Sequence, residues 1–148
     1  MALVSIERER EYKRDWQRKH RAKSRLAGLC GLCEKQPARP GKQSCLKCIK
    51  IQTRYVRNAR YNARATILSY YGRACACCGE TIEKFLTIDH INNDGSIQRS
   101  KFASEHCYYA NVAKLIKLGK APTDLRILCC NCNMGRARNG GICPHLSK

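Results

Sequence analysis

A carboxylate and an imidazole follow one another near the middle of the chain, at the end of a short apolar run. The β-prone run FLTI, residues 85–88, ends in Asp89 and His90, and the turn-forming sequence NNDG follows at residues 92–95. An imidazole can accept a proton near neutral pH, and a carboxylate can bind a hard cation such as Mg²⁺. These two residues are therefore candidates for chemistry at the end of a strand.

Two cysteine pairs of the same form flank this stretch. Cys75 and Cys78 precede it, and Cys129 and Cys132 follow a second apolar run, LRIL, at residues 125–128. Two Cys-x-x-Cys knuckles can close one tetrahedral Zn²⁺ site even when they lie far apart in the sequence. Cys77 and Cys130 lie next to these pairs, but the two-residue spacing favours the other four as ligands. The sequence thus predicts two strands that are held together by zinc, with a helix after the second strand.

The segments CACCGE, LTIDHINNDG and DLRILCCNCNMGR, within residues 73–138, resemble the HNH endonucleases. These enzymes have a ββα-metal fold, and the similarity is to the zinc-stapled form that is common in phage and mobile-element proteins. The resemblance implies that His90 is the general base and that Asp89 and Asn133 bind Mg²⁺ or Mn²⁺. The chain differs from the commonest pattern at Asn133, where many members have a final histidine, and at Asp124, where many have an asparagine.

The function implied by this resemblance is metal-dependent hydrolysis of DNA phosphodiester bonds, by nicking or by double-strand cleavage. The alternative is a catalytically inactive zinc protein that binds DNA or RNA. Homing, phage packaging or replication, and defence nucleases share the motif, so the motif leaves the target sequence and the biological role open. No small-molecule cofactor is expected.

A second set of four cysteines lies in the N-terminal half, in two knuckles separated by a loop rich in proline and glycine. Its members are Cys30, Cys33, Cys45 and Cys48. Four thiolates leave no open coordination position, so this set predicts a structural zinc finger and a total of two structural Zn²⁺ ions. A third site is an open alternative, because donor atoms also occur at His106, Cys107, Cys143 and His145. No recurrent spacing supports that site, and the C-terminal tail is expected to pack on the nuclease-like module.

The net charge of +18 is distributed unevenly along the 148 residues. Residues 1–74 contain 19 Lys and Arg against 5 Asp and Glu, whereas residues 75–148 contain 10 against 6, and residues 35–79 contain no acidic residue. Such a segment repels itself unless a polyanion binds it, which makes DNA the expected partner, although a solvated basic face is the simpler explanation. The arginines expected to contact nucleic acid are Arg54, Arg57, Arg60, Arg64, Arg136 and Arg138.

The chain length allows one compact domain and an extension, and the pattern predicts a small α+β protein. We expect a basic helix in residues 1–28, a zinc finger in 29–50, a basic linker helix in 51–72 and the nuclease-like module in 73–148. A further helix is expected at residues 103–118, between the two strands. No signal peptide and no apolar run of membrane length are apparent, so we expect a cytoplasmic protein with reduced thiols, compatible with a phage gene expressed in a bacterial host.

Overall fold

A computed structural model of the protein describes residues 2–146, with side chains from residue 6 onward. The extreme ends of the predicted first and last segments, residue 1 and residues 147–148, lie outside the described residues. The chain divides into two compact units, Met1–Val56 and Arg57–Lys148. Its elements are α1 (Ala2–Leu26), α2 (Leu46–Tyr71), β1 (Leu86–His90), α3 (Gly95–Ser100), α4 (Glu105–Lys117), β2 (Leu125–Cys129) and α5 (Cys130–Arg138), with 3-10 turns at Glu83–Phe85 and Pro144–Leu146.

The first unit consists of α1, the cysteine-bearing loop and the start of α2. Helix α1 has the extent that the sequence predicted, and its aromatic residues are exposed, Tyr12 by 71% and Trp16 by 51%. Gly28 follows the helix with a positive φ of 66°, a conformation that glycine adopts without strain. The unit has few buried apolar side chains, so the cysteine set is its main candidate source of stability.

The second unit is built on one antiparallel pair of strands, in which β1 pairs with β2. The register places Asp89 opposite Arg126 and His90 opposite Leu125. Helix α5 begins immediately after β2, and it contacts both strands. The fold is therefore small and α+β, as the sequence predicted, with the order strand, inserted helices, strand and helix.

Helix α2 contributes to the core only through its C-terminal half. Ala63, Ile67 and Leu68 are buried, whereas Tyr55 is 75% exposed. The apolar side chains of α2 between Tyr55 and Tyr71 are therefore only partly buried. The largest fully buried side chains around these helix residues are Leu86, Val112, Ile127 and Leu128.

The segment between the strands contains one helix more than the sequence predicted. Helix α4 agrees with the expected helix, and the side chain of Ser104 caps it by accepting a hydrogen bond from the amide of Cys107. Helix α3 has only six residues and follows the polar loop directly. A helix this short has too few residues for a periodic apolar pattern, which is why the sequence did not predict it.

We predict that Leu128→Ala lowers the free energy of unfolding of the protein by about 2–5 kcal/mol, because Leu128 is 2% exposed and its truncation leaves a cavity. Leu118→Ala is the matched control, since Leu118 is 59% exposed and its truncation should cost less than about 0.5 kcal/mol. Urea unfolding followed by circular dichroism measures both. Equal losses of stability in the two variants would show that β2 is not part of the core.

Candidate functional site

The side chain of Asp89 lies at the end of β1, with 5% of its surface exposed. Its Oδ2 accepts a hydrogen bond of 2.8 Å from Nε of Arg126, which lies opposite it on β2. Its Oδ1 is 3.1 Å from Nη1 of Arg136 on α5. The carboxylate thus joins both strands and the helix through charge-assisted hydrogen bonds.

Arg136 was expected to contact nucleic acid, but its guanidinium is buried and donates hydrogen bonds to acceptors within the protein. The residue is 7% exposed, and besides Asp89 it donates to the backbone carbonyls of His90 (3.3 Å), Ile91 (2.5 Å) and Gly141 (3.0 Å). A buried guanidinium with these partners is not available to a phosphate. The sequence could not distinguish this arginine from its exposed neighbours, because its partners come from distant parts of the chain.

Asn133 lies on α5, one helical turn before Arg136. Its Nδ2 donates a hydrogen bond of 3.0 Å to Oγ1 of Thr87, which is on the same face of β1 as Asp89. The structure therefore brings Asn133 to Thr87, while Arg136 occupies the position beside Asp89. Residues two apart on a strand are separated by about 6.6 Å, so Thr87, the partner of Asn133, lies about this far along β1 from Asp89.

The cation implied by the resemblance can be tested against these contacts. A carboxylate and an amide oxygen are suitable donors for Mg²⁺ or Mn²⁺. Both oxygens of Asp89, however, already accept hydrogen bonds from guanidinium groups, and one carboxylate with two arginines carries a positive net charge. A divalent cation does not fit this arrangement of Asp89 and Asn133.

The imidazole of His90 points to the other side of β1, towards α4. It is 4% exposed, and its Nε2 is 2.9 Å from the hydroxyl of Tyr108. That hydroxyl donates its proton to Oε1 of Gln98 at 2.9 Å, and Nε2 of Gln98 donates to the carboxylates of Asp94 and Asp124. Because the tyrosine proton is used in this way, the Tyr108 oxygen must accept the proton on Nε2 of His90, which leaves Nδ1 as the basic nitrogen.

The neutral form of this imidazole is favoured by its surroundings. Burial is the main cause that lowers the pKa of His90, and the positive charge of Arg99 lowers it further, whereas Asp94 and Asp124 oppose the shift. A neutral histidine of fixed tautomer can accept a proton. Burial and Arg99 thus favour the neutral imidazole, in which the contact with Tyr108 leaves Nδ1 as the unprotonated nitrogen.

The basic nitrogen of His90 faces Gly95 at the start of α3. A Cβ atom at position 95 would lie 2.4 Å from Nδ1 of His90 and 2.8 Å from Nη1 of Arg99. No other residue type leaves this space free. The glycine in the predicted loop is therefore required by the close approach of the imidazole, a reason that the sequence did not reveal.

An open pocket of about 640 Å³ lies beside the strand pair. Its lining includes the arginines Arg60, Arg64 and Arg99, together with Thr87 and Asn133. Of the three predicted catalytic residues, only Asn133 contributes to this lining. Arg60 and Arg99 make the pocket suited to an anion such as a phosphate group, although the carboxylate of Glu105 also lines it.

The other arginines that were expected to bind nucleic acid differ in their availability. Arg57, Arg60 and Arg138 are exposed in the second unit, and Arg54 is exposed in the first. Arg64 instead donates from Nη2 to the backbone carbonyls of Glu83 and Leu86, each at 2.7 Å, and so fastens α2 to the chain entering β1. Its role in the structure is at least partly internal.

The structure brings both predicted four-cysteine sets together as groups that could hold a metal ion. In each group the sulfur atoms lie within 4.8 Å of one another. In the first set, a backbone hydrogen bond from Cys45 is the main cause that lowers the pKa of Cys30 to about 6. In the second, burial opposes ionisation of Cys75, but hydrogen bonds from the backbone at Cys78 and Cys129 outweigh it and lower its pKa to about 6. Each set also contains thiols whose pKa is raised: a side-chain hydrogen bond with Cys45 is the main cause that raises the pKa of Cys48 to about 12, and burial is the main cause that raises the pKa of Cys132. Zinc binds the thiolate form.

The structure forms a third group, which differs from the alternative that the sequence left open. Cys143 and His145 lie with Cys77 and Cys132, and all four donor atoms are within 4.8 Å of one another. His106 and Cys107 are on α4 and belong to none of the three groups found among residues 2–146. Cys77, which the spacing did not favour, is therefore a candidate ligand, while Cys130 is exposed and outside these groups.

Several residues of the site had no signal in the sequence. The sequence places Tyr108 on an apolar helical face but gives no sign that it is a partner of His90, and Gln98 lies in a segment that was not predicted to be helical. In the sequence, Arg126 is recognisable only as a residue of the second strand, with no sign that it pairs with Asp89. Each of these residues contacts a partner that is distant in the sequence. Such contacts are known only once the strand register and the helix packing are known.

Comparisons with known proteins do not assign the chain to a family: no family model matches it, and neither the curated proteins nor the solved structures gave a match. Among the residues that the structure describes, no helix combines the length and the apolar character needed to cross a membrane.

We predict that the double variant Arg57→Ala, Arg60→Ala binds DNA more weakly and has a smaller salt dependence, by roughly one unit of log–log slope for each phosphate that is no longer bound. Arg64→Ala is the control, because its guanidinium is bonded to two backbone carbonyls and its removal should mainly reduce stability. Fluorescence anisotropy at several salt concentrations measures the slope. An unchanged slope in the double variant would show that these arginines form a solvated face.

Proposed function

We propose that the protein is an endonuclease of the HNH type that hydrolyses phosphodiester bonds in DNA. The proposal extends the resemblance of residues 73–138 and is supported by the order of elements in the second unit, where two paired strands are followed by α5. The cysteine groups that could bind zinc lie at the positions where the resemblance places the zinc staple. None of these features alone distinguishes catalysis from binding.

The observation that carries the proposal is the hydrogen-bond chain from His90 through Tyr108 to Gln98, from which we infer the tautomer of His90. These hydrogen bonds orient the ring and leave Nδ1 unprotonated. A general base requires a correct protonation state and a partner that holds its ring in place. Gly95 leaves the space that the imidazole occupies beside this nitrogen.

The reaction requires that a water molecule reach Nδ1 of His90, which is 4% exposed in the structure, and lose its proton to that nitrogen. The resulting hydroxide forms a bond to phosphorus while the bond between phosphorus and the 3′ oxygen breaks, and this oxygen takes a proton from solvent. The acidic end of the hydrogen-bond chain, at Asp94 and Asp124, stabilises the imidazolium that forms. General base catalysis of this kind contributes typically about 10²–10⁴-fold to a rate.

Binding of the phosphate is the second requirement, and the arginines of the open pocket are suited to it, although His90 does not line that pocket. Arg60 and Arg99 line the pocket together with Asn133, and guanidinium groups stabilise the negative charge that develops on the phosphoryl oxygens. The surplus of basic residues elsewhere in the chain supports a polyanionic substrate. These contacts would bind the phosphate backbone and would not distinguish one base sequence from another.

A second candidate, a nucleic-acid-binding zinc protein without turnover, is favoured by one specific observation. The carboxylate of Asp89 is held by Arg126 and Arg136, and this arrangement does not fit the Mg²⁺ or Mn²⁺ that the resemblance implies. The reaction steps given above therefore involve only side chains of the protein, water and the substrate. Cleavage assays in Mg²⁺, in Mn²⁺ and in EDTA separate the two candidates, because binding alone produces no nicks.

We expect His90→Ala to reduce the rate of plasmid nicking by roughly 10²-fold or more, because the proton acceptor is absent. Folding, zinc content and DNA affinity should be retained, since the cysteine groups and exposed arginines are unchanged. His20→Ala, in α1, is the matched control and should nick at the parental rate. A folded His90→Ala protein that nicks as fast as the parent would refute the assignment.

The orientation of His90 can be tested separately from cleavage. Long-range ¹H–¹⁵N NMR should show the tautomer protonated at Nε2 in the parent protein, and Tyr108→Phe should reduce its population because the accepting oxygen is gone. The same variant should nick more slowly, by roughly 10-fold, since the base remains but is less well held. Protonation at Nδ1 in the parent would contradict the proposed role of Tyr108.

The space at Gly95 provides another test. Gly95→Ala places a methyl group where the basic nitrogen of His90 lies, so the imidazole must move and nicking should fall roughly as far as in His90→Ala. Ser96→Ala changes the next residue, which is exposed, and should leave the rate unchanged. A rate equal to the parent's in Gly95→Ala would show that the imidazole position is not important for cleavage.

A further inference from the structure

The third group of metal-binding side chains lies between α5 and the C-terminal tail. Its donors are the sulfur atoms of Cys77, Cys132 and Cys143 and the Nδ1 atom of His145. Nδ1 of His145 is 3.3 Å from the sulfur of Cys132, 3.7 Å from that of Cys143 and 3.9 Å from that of Cys77. One imidazole nitrogen thus faces three sulfur atoms at similar distances.

These distances are those of a zinc coordination sphere. With Zn–S bonds of about 2.3 Å and Zn–N bonds of about 2.0–2.1 Å at tetrahedral angles, a nitrogen and a sulfur on the same ion are separated by about 3.6 Å. The three observed separations lie around this value. In the cysteine set that contains Cys78 and Cys129, the two sulfur atoms are 3.7 Å apart, close to the value of about 3.8 Å expected for two sulfur ligands.

The tail that carries two of these donors is held in place by packing and hydrogen bonds. A Cβ atom at Gly135 would lie 3.0 Å from Cδ of Pro144, so the glycine allows the tail to lie close against α5. Arg136 donates to the carbonyl of Gly141 at 3.0 Å, and the amide of Gly141 donates back to the carbonyl of Arg136 at 2.9 Å. The tail therefore presents its donors in fixed positions, and Cys143 is buried.

Cys132 belongs to two groups at once. It completes the set with Cys75, Cys78 and Cys129, and it also completes the third group. Its side chain is fully buried between them. From this shared position we infer that the second unit binds two Zn²⁺ ions, in which the thiolate of Cys132 bridges one ion held by Cys75, Cys78 and Cys129 and another held by Cys77, Cys143 and His145.

Each ion in this arrangement has four ligands, as zinc prefers. When the second ion binds, the thiols of Cys77 and Cys143 release their protons to solvent, and His145 binds through its neutral ring. The two new thiolates cancel the charge of the second ion, so it adds no net charge to the buried group. A structural zinc site of mixed cysteine and histidine ligands would thus attach the tail to α5 independently of any nuclease activity.

The inference is tested by counting metal ions in the full-length protein. Native mass spectrometry should give three Zn²⁺ per chain, one in the first unit and two in the second. The double variant Cys143→Ser, His145→Ala should give two, because it leaves both four-cysteine sets intact, whereas the control Cys130→Ser should give three. A parent protein with two ions, or a double variant that keeps three, would overturn the inference.

The bridging role of Cys132 needs a measurement that does not depend on a variant folding. Protein loaded with ¹¹³Cd²⁺ should give three ¹¹³Cd resonances, two of which show scalar coupling through the shared sulfur. The third resonance, from the first unit, should show no coupling. Two resonances, or three without coupling, would exclude the bridged pair whether or not the protein cleaves DNA.

Discussion

The second unit depends on the neutralisation of one buried carboxylate. Asp89 is 5% exposed, and an unpaired charge in that position would destabilise the fold by several kcal/mol. Arg126 and Arg136 provide the counter-charges, and Arg136 uses its remaining donors on the carbonyls at the end of β1 and on Gly141. These two ion pairs connect both strands and α5, and the hydrogen bond from Arg136 to Gly141 adds the start of the tail. Removing Asp89 would leave the guanidinium of Arg136 buried without a counter-charge, at a cost of about 3–5 kcal/mol.

Arginine serves two different purposes in this chain. Arg64 and Arg136 bind backbone carbonyls, where the planar guanidinium with several donors can satisfy more than one acceptor. Arg57, Arg60 and Arg138 are exposed. A high positive charge in the sequence thus overstates the number of side chains that are free to contact a phosphate backbone. It still leaves the exposed face of α2 strongly basic.

Features set by local sequence were predicted well, and features set by distant partners were not. The helices at α1, α2 and α4, the two strands and the two four-cysteine sets follow from periodicity and spacing, which are properties of short segments. The sequence placed Asp89 and His90 correctly at the end of a strand. It could not show that Arg136 would occupy the position beside Asp89, or that Tyr108 and Gln98 would orient His90, because these contacts depend on how α3, α4 and α5 pack. The sequence also could not show that Cys143 and His145 lie beside Cys77, because this contact depends on how the C-terminal tail packs.

The segment that connects β1 to β2 begins and ends at residues that lie next to each other in the structure. The amide of Ile91 donates to the carbonyl of Asp124 at 2.8 Å, so the ends of the inserted helices are fixed next to each other. The entropy cost of closing a loop grows only slowly with its length, by about 0.6 kcal/mol for each doubling. The exposed turn after α4, at Leu118 and Gly119, is therefore a place where evolution or an engineer can lengthen the chain. A fluorescent or affinity tag inserted there would lie several residues before β2 and would leave the strand pairing unchanged.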